Sequence, residues 1–232
     1  MAINIIDEDE NYTFEILQAH RLPECAALLA DSFTKTNPIH LYLHTTYDQF
    51  YPMTLFRSDC ILKDRLSLVA IHKQTNELHG CIQASDAKTL KEHHPILPTE
   101  TTIDLENMKA FNDIIEELEE KYFSEYMKMN GQELKENCIV QLLLGGTRVG
   151  CEGHGLGTKL RRLALEHAHQ RGYKQAIVET SNPVTYHIYM KKLGGKEFAS
   201  IYAPTWIWKK NGNSSLPFEN FERNMSLLVI DL

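Results

Sequence analysis

The sequence predicts a mixed α/β fold, a central sheet with flanking helices, and three observations carry that expectation. An apolar run at 139–144 leads through a glycine-rich turn into an amphipathic helix at about 155–171, which reads as a β-loop-α-β unit with the strand-like segment 176–179. Segments 66–72 and 78–85 read as two strands joined by a polar link that holds Asn76, hence a hairpin. Helical stripes and short strands alternate along the rest, with no internal repeat and no low-complexity stretch.

Taken in order, 14–17 is a short β-like run. Pro23 then opens a helix in which Cys25, Ala26, Leu28, Leu29 and Phe33 recur at helical spacing, until Asn37-Pro38 stops it. A second short helix fits 46–57. Residues 86–130 read as a helical insertion in a single domain spanning 1–232. Pro95 and Pro98 break the chain there. Leu105, Met108, Phe111, Ile114, Ile115, Leu118 and Phe123 then form a stripe, with Glu116, Glu117, Glu119 and Glu120 on other faces. The plain reading of those glutamates is a solvated face; the alternative is an acidic rim for a cationic substrate. Asn130-Gly131 marks a turn.

The run Ile139, Val140, Leu142, Leu143, Leu144 is short and flanked by turn residues, which favours a buried central strand. In the helix that follows, Leu156, Leu160, Leu163, Ala164 and Ala168 share one face, with Lys159, Arg161 and Arg162 expected elsewhere; Gly172 ends it. Pro183 starts another helix that runs to about 193, closed by Gly194-Gly195. Segments 198–202 and 226–230 are final strands, separated by a polar loop around 211–215. Trp206 and Trp208 alternate with Ile207 and read as packing residues, with an aromatic substrate wall as the alternative.

Composition narrows the partners. With 43% hydrophobic and 24% charged residues, the 232-residue chain is an ordinary globular sequence. Its formal net charge of −7 argues against duplex nucleic acid and leaves cationic partners open. The five cysteines are widely spaced with no CxxC, which suggests reduced thiols and a cytoplasmic location. No stretch is long and apolar enough for a membrane span, and no start-of-chain targeting pattern is visible. Metal ligation is not expected: His93-His94 are adjacent, His167 and His169 lie on different helix faces, and no HExxH occurs.

The most informative segment is Glu152-Gly153-His154-Gly155-Leu156-Gly157-Thr158, between strand and helix. Glycines let the main chain approach a ligand, and a helix start offers unpaired N–H groups and the positive end of its dipole, so the segment suits a pyrophosphate. A tight turn with no ligand is the plain alternative. A Walker loop is rejected because Gly157-Thr158-Lys159 has the wrong order. A dinucleotide fingerprint would need glycine at Thr158, although Glu179 could mimic the ribose-binding acid, so that reading stays open.

A third reading fits more points. The segment resembles the acetyl-CoA loop of the GNAT N-acetyltransferase superfamily, whose pattern is Arg/Gln-x-x-Gly-x-Gly/Ala. Gly155 and Gly157 match its small positions, and Leu156 matches the apolar residue between them. Downstream, Glu179-Thr180-Ser181-Asn182 and then Ile188-Tyr189-Met190-Lys191-Lys192-Leu193-Gly194 resemble the family's Asn-to-Tyr segment, with Tyr189 seven residues after Asn182. The resemblance covers about 138–202, and the helix around 86–130 is similar to that of arylalkylamine-type members. The chain departs from the pattern at Glu152, which stands at the Arg/Gln position, at Gly194-Gly195 for Gly-Phe, and at Asn37-Pro38 where those members carry Glu-Pro.

The resemblance implies transfer of an acetyl group from acetyl-CoA, a co-substrate, to a primary amine. It implies that Leu144, Thr147 and Val149 of the strand, Gly153, His154, Gly155, Leu156, Gly157 and Thr158 of the loop, and Asn182 bind acetyl-CoA. It implies Tyr189 as the general acid that protonates the departing thiolate, with a backbone amide at Leu143 or Leu144 for the oxyanion. Tyr189 also suits a buried core position, and Asn182 also suits a helix N-cap. Glu179 is the candidate base near the thioester, or else pairs with a lysine. Gln141 can only hold a water, and His20, His40, His44 and His187 are weaker candidates. The expected acceptor is a small cationic amine. A protein N-terminus or lysine, or a non-catalytic acyl-CoA-binding module, are the alternatives, in a monomer or homodimer.

Overall fold

The computed structural model describes residues 5–93, 106–131, 133–210 and 212–232. The expectations placed on Pro95, Pro98, Leu105 and Asn211 lie outside the described residues.

The first half holds β1 (Ile5–Glu8), β2 (Tyr12–Ile16), β3 (Leu68–His72) and β4 (Leu78–Asp86). Between β2 and β3 come four helices, α1 (Leu22–Thr36), α2 (Pro38–Tyr42), α3 (Tyr47–Leu55) and α4 (Ser58–Asp64). The local signals work as chemistry. Asn37 both ends α1 and caps α2, its side chain accepting from the Ile39 N–H. Thr46 and Gln49 close a reciprocal capping box on α3. Asn76 sits in the hairpin link with φ 56°, a left-handed conformation that asparagine tolerates.

The second half holds α5 (Ala87–Glu92), α6 (Glu106–Asn130), β5 (Ile139–Thr147), α7 (Leu156–Gln170), β6 (Gln175–Thr180), α8 (Pro183–Lys192) and β7 (Lys196–Tyr202). A small hairpin, β8 (Trp208–Lys210) with β9 (Asn213–Ser215), and the last strand, β10 (Asn224–Asp231), complete it. Eight strands form one sheet in the order β1-β2-β3-β4-β5-β6-β10-β7. Among the described residues only β5 and β6 are parallel, joined through α7 as a crossover; the other neighbours run antiparallel.

Side-chain alternation decides which helix covers which face. Leu68, Ala70, Ile82, Ala84, Val140, Leu142, Ala176, Val178 and Leu228 pack with Leu156, Leu160, Leu163 and Ala164 of α7. On the opposite face Val69, Ile71 and Cys81 meet Cys25, Leu28 and Leu29 of α1, while Ile139, Ile177 and Leu227 meet Ala110, Ile114 and Leu118 of α6. Gln141 and Glu179 are in step with Ile139 and Ile177, so period 2 puts both on the face covered by α1 and α6.

Several expectations shift. β1 and α4 were not legible in the sequence: β1 is a four-residue acidic edge, and α4 has two residues in the core, Cys60 and Ile61. The stretch expected as a polar loop contains the short hairpin β8–β9, with β9 exposed. Arg161, expected on the outer side of its helix, is only 8% exposed. The aromatic Trp206 and Trp208 do pack, and each also donates its indole N–H to α6, to Glu117 (2.8 Å) and Asp113 (2.6 Å).

Candidate active site

The site begins where two parallel strands stop pairing. The β5–β6 ladder runs from Ile139↔Gln175 to Leu142↔Val178 and ends. Beyond it, β5 follows β4 to Thr147 while β6 follows β10 to Thr180, so the two strands leave a gap. A β-bulge sharpens the divergence. Leu142 faces Ala84 and Leu144 faces Gln83, which leaves Leu143 as the extra residue without a cross-strand partner. A cavity of about 550 Å³ opens at this gap. Leu143, Leu144, Glu179, Asn182 and Tyr189 all line it.

The glycine loop stands at the end of the same strand. Gly150, Gly153 and Gly155 have φ of 90°, 85° and 80°, a left-handed backbone that side-chain-bearing residues avoid. Gly155 is the N-cap of α7, and its carbonyl accepts from the N–H groups of Thr158 (3.1 Å) and Lys159 (2.9 Å). The Thr158 amide is therefore already engaged. The N–H groups of Gly153, His154, Gly155, Leu156 and Gly157 make no hydrogen bond among the described residues. Five free amides around one helix start form an anion cradle. The side chain of Leu156 is buried in the core, so only its amide is available to a ligand. Glu152 turns back into the loop, where its carboxylate accepts from the Gly150 N–H (2.7 Å).

Tyr189 is 1% exposed, and burial raises its phenol above the ordinary range. The Arg161 guanidinium lies over its ring at 5.8 Å and works against that rise. Arg161 donates to the carbonyls of Gly157 (2.8 Å) and Gly145 (3.1 Å), tying the first turn of α7 to β5, while its Nε has no partner among the described residues. A side chain at Gly157 would meet this arginine: a Cβ there falls 3.1 Å from Nη1 and 3.5 Å from Thr147 Cγ2. Asn182 caps α8 through Oδ1, which accepts from Val184 (2.9 Å) and Thr185 (3.4 Å), and its amide nitrogen is left for other partners.

Two carboxylates meet on the opposite side of the gap. Gln141 Nε2 donates to Glu119 Oε1 (2.6 Å) and to Glu179 Oε1 (3.4 Å). Burial first, and the neighbouring Glu119 charge second, push the Glu179 carboxyl up to about 8. Burial likewise raises Glu119, against the pull of the Gln141 hydrogen bond. Glu179 pairs with Gln141 and not with a lysine. The solvated reading of the α6 glutamates fails for Glu119. It stands one turn after the half-buried Ile115 and is itself half-buried in the cavity lining, whereas Glu116, though it borders the same cavity, is exposed, and Glu120 is exposed and outside it.

An aromatic wall completes the pocket. Phe33 and Phe50 stack at 5.2 Å, and His40 meets Phe50 edge-on at 4.3 Å and Phe111 at 5.9 Å. Burial lowers His40 to about 4, so it is neutral at ordinary pH. His20, His44 and His187 do not line the cavity. Thr147, Val149 and the whole loop segment 153–158 lie outside the cavity lining; of the residues expected to bind acetyl-CoA, only Leu144 and Asn182 line it. Away from the pocket, Asp59, Cys60 and His93 bring ligand atoms within 4.8 Å of one another, a juxtaposition that sequence spacing did not suggest.

No protein-family model matches the chain, and no curated protein matches it in sequence. Solved structures do match. The C-terminal condensation domain of Ebony, in complex with β-alanyl-dopamine, superposes with a TM-score of 0.76 at 14% identity, over 95% of this chain and 99% of that one. Arylalkylamine N-acetyltransferase 2 from Aedes aegypti gives 0.65 at 17% identity, over 96% and 99%. A Drosophila melanogaster polyamine N-acetyltransferase that forms N-acetylagmatine gives 0.63 at 9% identity, over 95% and 100%. The chain has the GNAT fold. The parallel pair β5–β6 with its splay, the glycine loop and the helix after it occupy one continuous region of that fold. The GNAT architecture also removes the dinucleotide reading, because a doubly wound domain needs a mostly parallel sheet and this one has a single parallel pair.

Proposed function

We propose that the protein is an acetyl-CoA-dependent N-acetyltransferase acting on a small cationic amine. The observation that carries this reading is the splayed strand pair, with the unpaired loop amides at the far end of β5 and a cavity lined by Tyr189 and Glu179 at the splay. The amides of residues 153–157 suit the diphosphate of CoA. The gap between β5 and β6 suits the pantetheine arm, with Asn182 and Leu144 beside it, which brings the thioester to the vertex where Leu143 is unpaired.

The acceptor arrives as an ammonium. With a pKa of about 10.4, only about one molecule in a few thousand is neutral at pH 7, so supplying the free base is worth about 4 to 5 kcal/mol. Glu179, raised by its surroundings, is suited to take that proton. The amine lone pair then attacks the thioester carbonyl, and the C–N bond forms as the oxyanion is held by an amide at Leu143 or Leu144. The C–S bond breaks, Tyr189 gives its proton to the thiolate, and the second N–H proton, which the nitrogen loses as the amide forms, restores the phenol. Arg161 beside the ring favours the transient phenolate. The apolar wall of Phe33, Phe50 and Phe111 supports an acceptor with an apolar stem.

A second reading changes the donor alone. The likeness to a condensation domain holding β-alanyl-dopamine, together with Glu152 at the Arg/Gln position, favours an aminoacyl thioester in place of acetyl-CoA. Release of CoA thiol is the test. Acetyl-CoA and β-alanyl-CoA are each offered with 2-phenylethylamine, agmatine, spermidine and a peptide amine. Amine-dependent release from acetyl-CoA with the small amines supports the first reading. Release from β-alanyl-CoA alone supports the second, and binding with no release from either removes catalysis.

A further inference from the structure

The acids at the vertex come from two distant parts of the chain. Glu179 ends β6, and Glu119 projects from the middle of α6, yet one side-chain amide, that of Gln141, holds both. No salt bridge reaches either carboxylate among the described residues. Arg57 and Lys109 border the same cavity, but neither forms an ion pair with these acids among the described residues, and two buried anions without a direct ion pair are costly, so a site of this kind either keeps a proton or awaits a positive ligand. Both carboxylates line the cavity, and the wall beside them is apolar. An ammonium on a short apolar stem fits that combination.

We propose that Glu119, Gln141 and Glu179 form one composite site, in which the carboxylate pair shares a proton, receives the acceptor's ammonium and removes its proton. This rests on the acyltransferase reading above and adds Glu119 as its second acid. The pair with one proton carries a single negative charge, which the ammonium neutralises. The ammonium N–H proton passes to the ionised carboxylate, leaving the amine lone pair free for the carbonyl carbon. After transfer the pair returns its extra proton to solvent, so the overall change is ammonium plus thioester to amide, thiol and one proton.

The charged neighbours set the expected direction. Arg57 favours the ionised form of both acids, and Lys91 does so for Glu119, while Glu116 opposes it. Lys109 of α6 also borders the cavity, and Tyr189 with Arg161 behind it stands on the Glu179 side. Removing the charge of Glu119 therefore lets Glu179 ionise at lower pH.

Glu119→Gln tests this against Glu119→Asp. The Gln variant is expected to raise KM for 2-phenylethylamine by about 10-fold or more and to move the acid limb of kcat/KM down by about one pH unit. KM for the acyl donor should stay within about twofold, and the Asp variant should recover most of the loss. An unmoved acid limb, or a change confined to the donor's KM, overturns the proposal. A carboxyl titration of ligand-free protein labelled with ¹³C-glutamate is independent of turnover. Wild type should show a glutamate titrating near pH 8 that vanishes in Glu179→Gln, moves down in Glu119→Gln and shifts on addition of 2-phenylethylamine hydrochloride. If no such group exists, the composite site is wrong whatever the enzyme does. If it exists and responds to amine while no acyl-CoA is turned over, only the acyltransferase reading falls.

Discussion

At the scale of the residue, the proposed chemistry depends on groups whose surroundings pull them away from their ordinary behaviour. Burial raises the Tyr189 phenol, which opposes proton release, and the Arg161 guanidinium beside its ring works against that rise. Tyr189→Phe should lower kcat by about 10²-fold and leave acetyl-CoA affinity nearly unchanged, as steady-state kinetics and calorimetry would show. An unchanged kcat removes it from the acid role. Glu179 makes a separate statement about stability. Its folded-state pKa of about 8 lies above the ordinary carboxyl value, so the native state binds the proton more tightly than the unfolded chain. Its contribution is full below the ordinary carboxyl range and is lost as pH rises towards about 8. Melting temperatures measured from pH 5 to pH 8 should fall more steeply for wild type than for Glu179→Gln. Equal slopes would mean that the carboxyl is not perturbed.

At the scale of the element, the loop and the helices show what one sequence discloses. The apolar run before the loop, the glycines within it and the leucine spacing after it state β5, turn and α7 outright, because each rests on local chemistry. Gly155 is left-handed at φ 80°, and nothing lies within 4 Å of the position a Cβ would take, so the constraint is backbone conformation and ligand approach, not crowding. Gly155→Val is expected to weaken acetyl-CoA binding by at least about 10-fold while the circular dichroism of the folded protein is retained, since one strained residue costs about 1–2 kcal/mol. Wild-type affinity in that variant would exclude the loop as the phosphate cradle. Tyr189, Asn182 and Glu179 were legible through the order of strand, cap and helix. Glu119 was not, because four neighbouring glutamates share one helix and only the sheet on which α6 lies decides which of them turns inward. Arg161 escaped for a related reason: a guanidinium can be buried by backbone carbonyls, here those of Gly145 and Gly157, which leave no mark in the sequence. The strand β1 and the helix α4 are too short to carry a periodicity.

At the scale of the whole molecule, the mixed sheet holds two independent halves of a site in register. The antiparallel half, β1 to β5, carries the bulge and the glycine loop. The other half, β6, β10 and β7, carries Glu179 and leads through Asn182 into Tyr189. Their single parallel seam closes at Leu142↔Val178 and opens immediately beyond it. α6 lies over the opened region and contributes the second acid, while α1 and α3 add the aromatic wall. Net charge of −7 and the two carboxylates that Gln141 joins in the cavity lining agree with a cationic acceptor. The most direct measurement of the central claim is an amide titration of ¹⁵N-labelled protein with acetyl-CoA. The largest shifts are expected at the amides of residues 153–157 and at Leu143 and Leu144. Binding that leaves those amides unmoved, or no binding at millimolar acetyl-CoA, would contradict it.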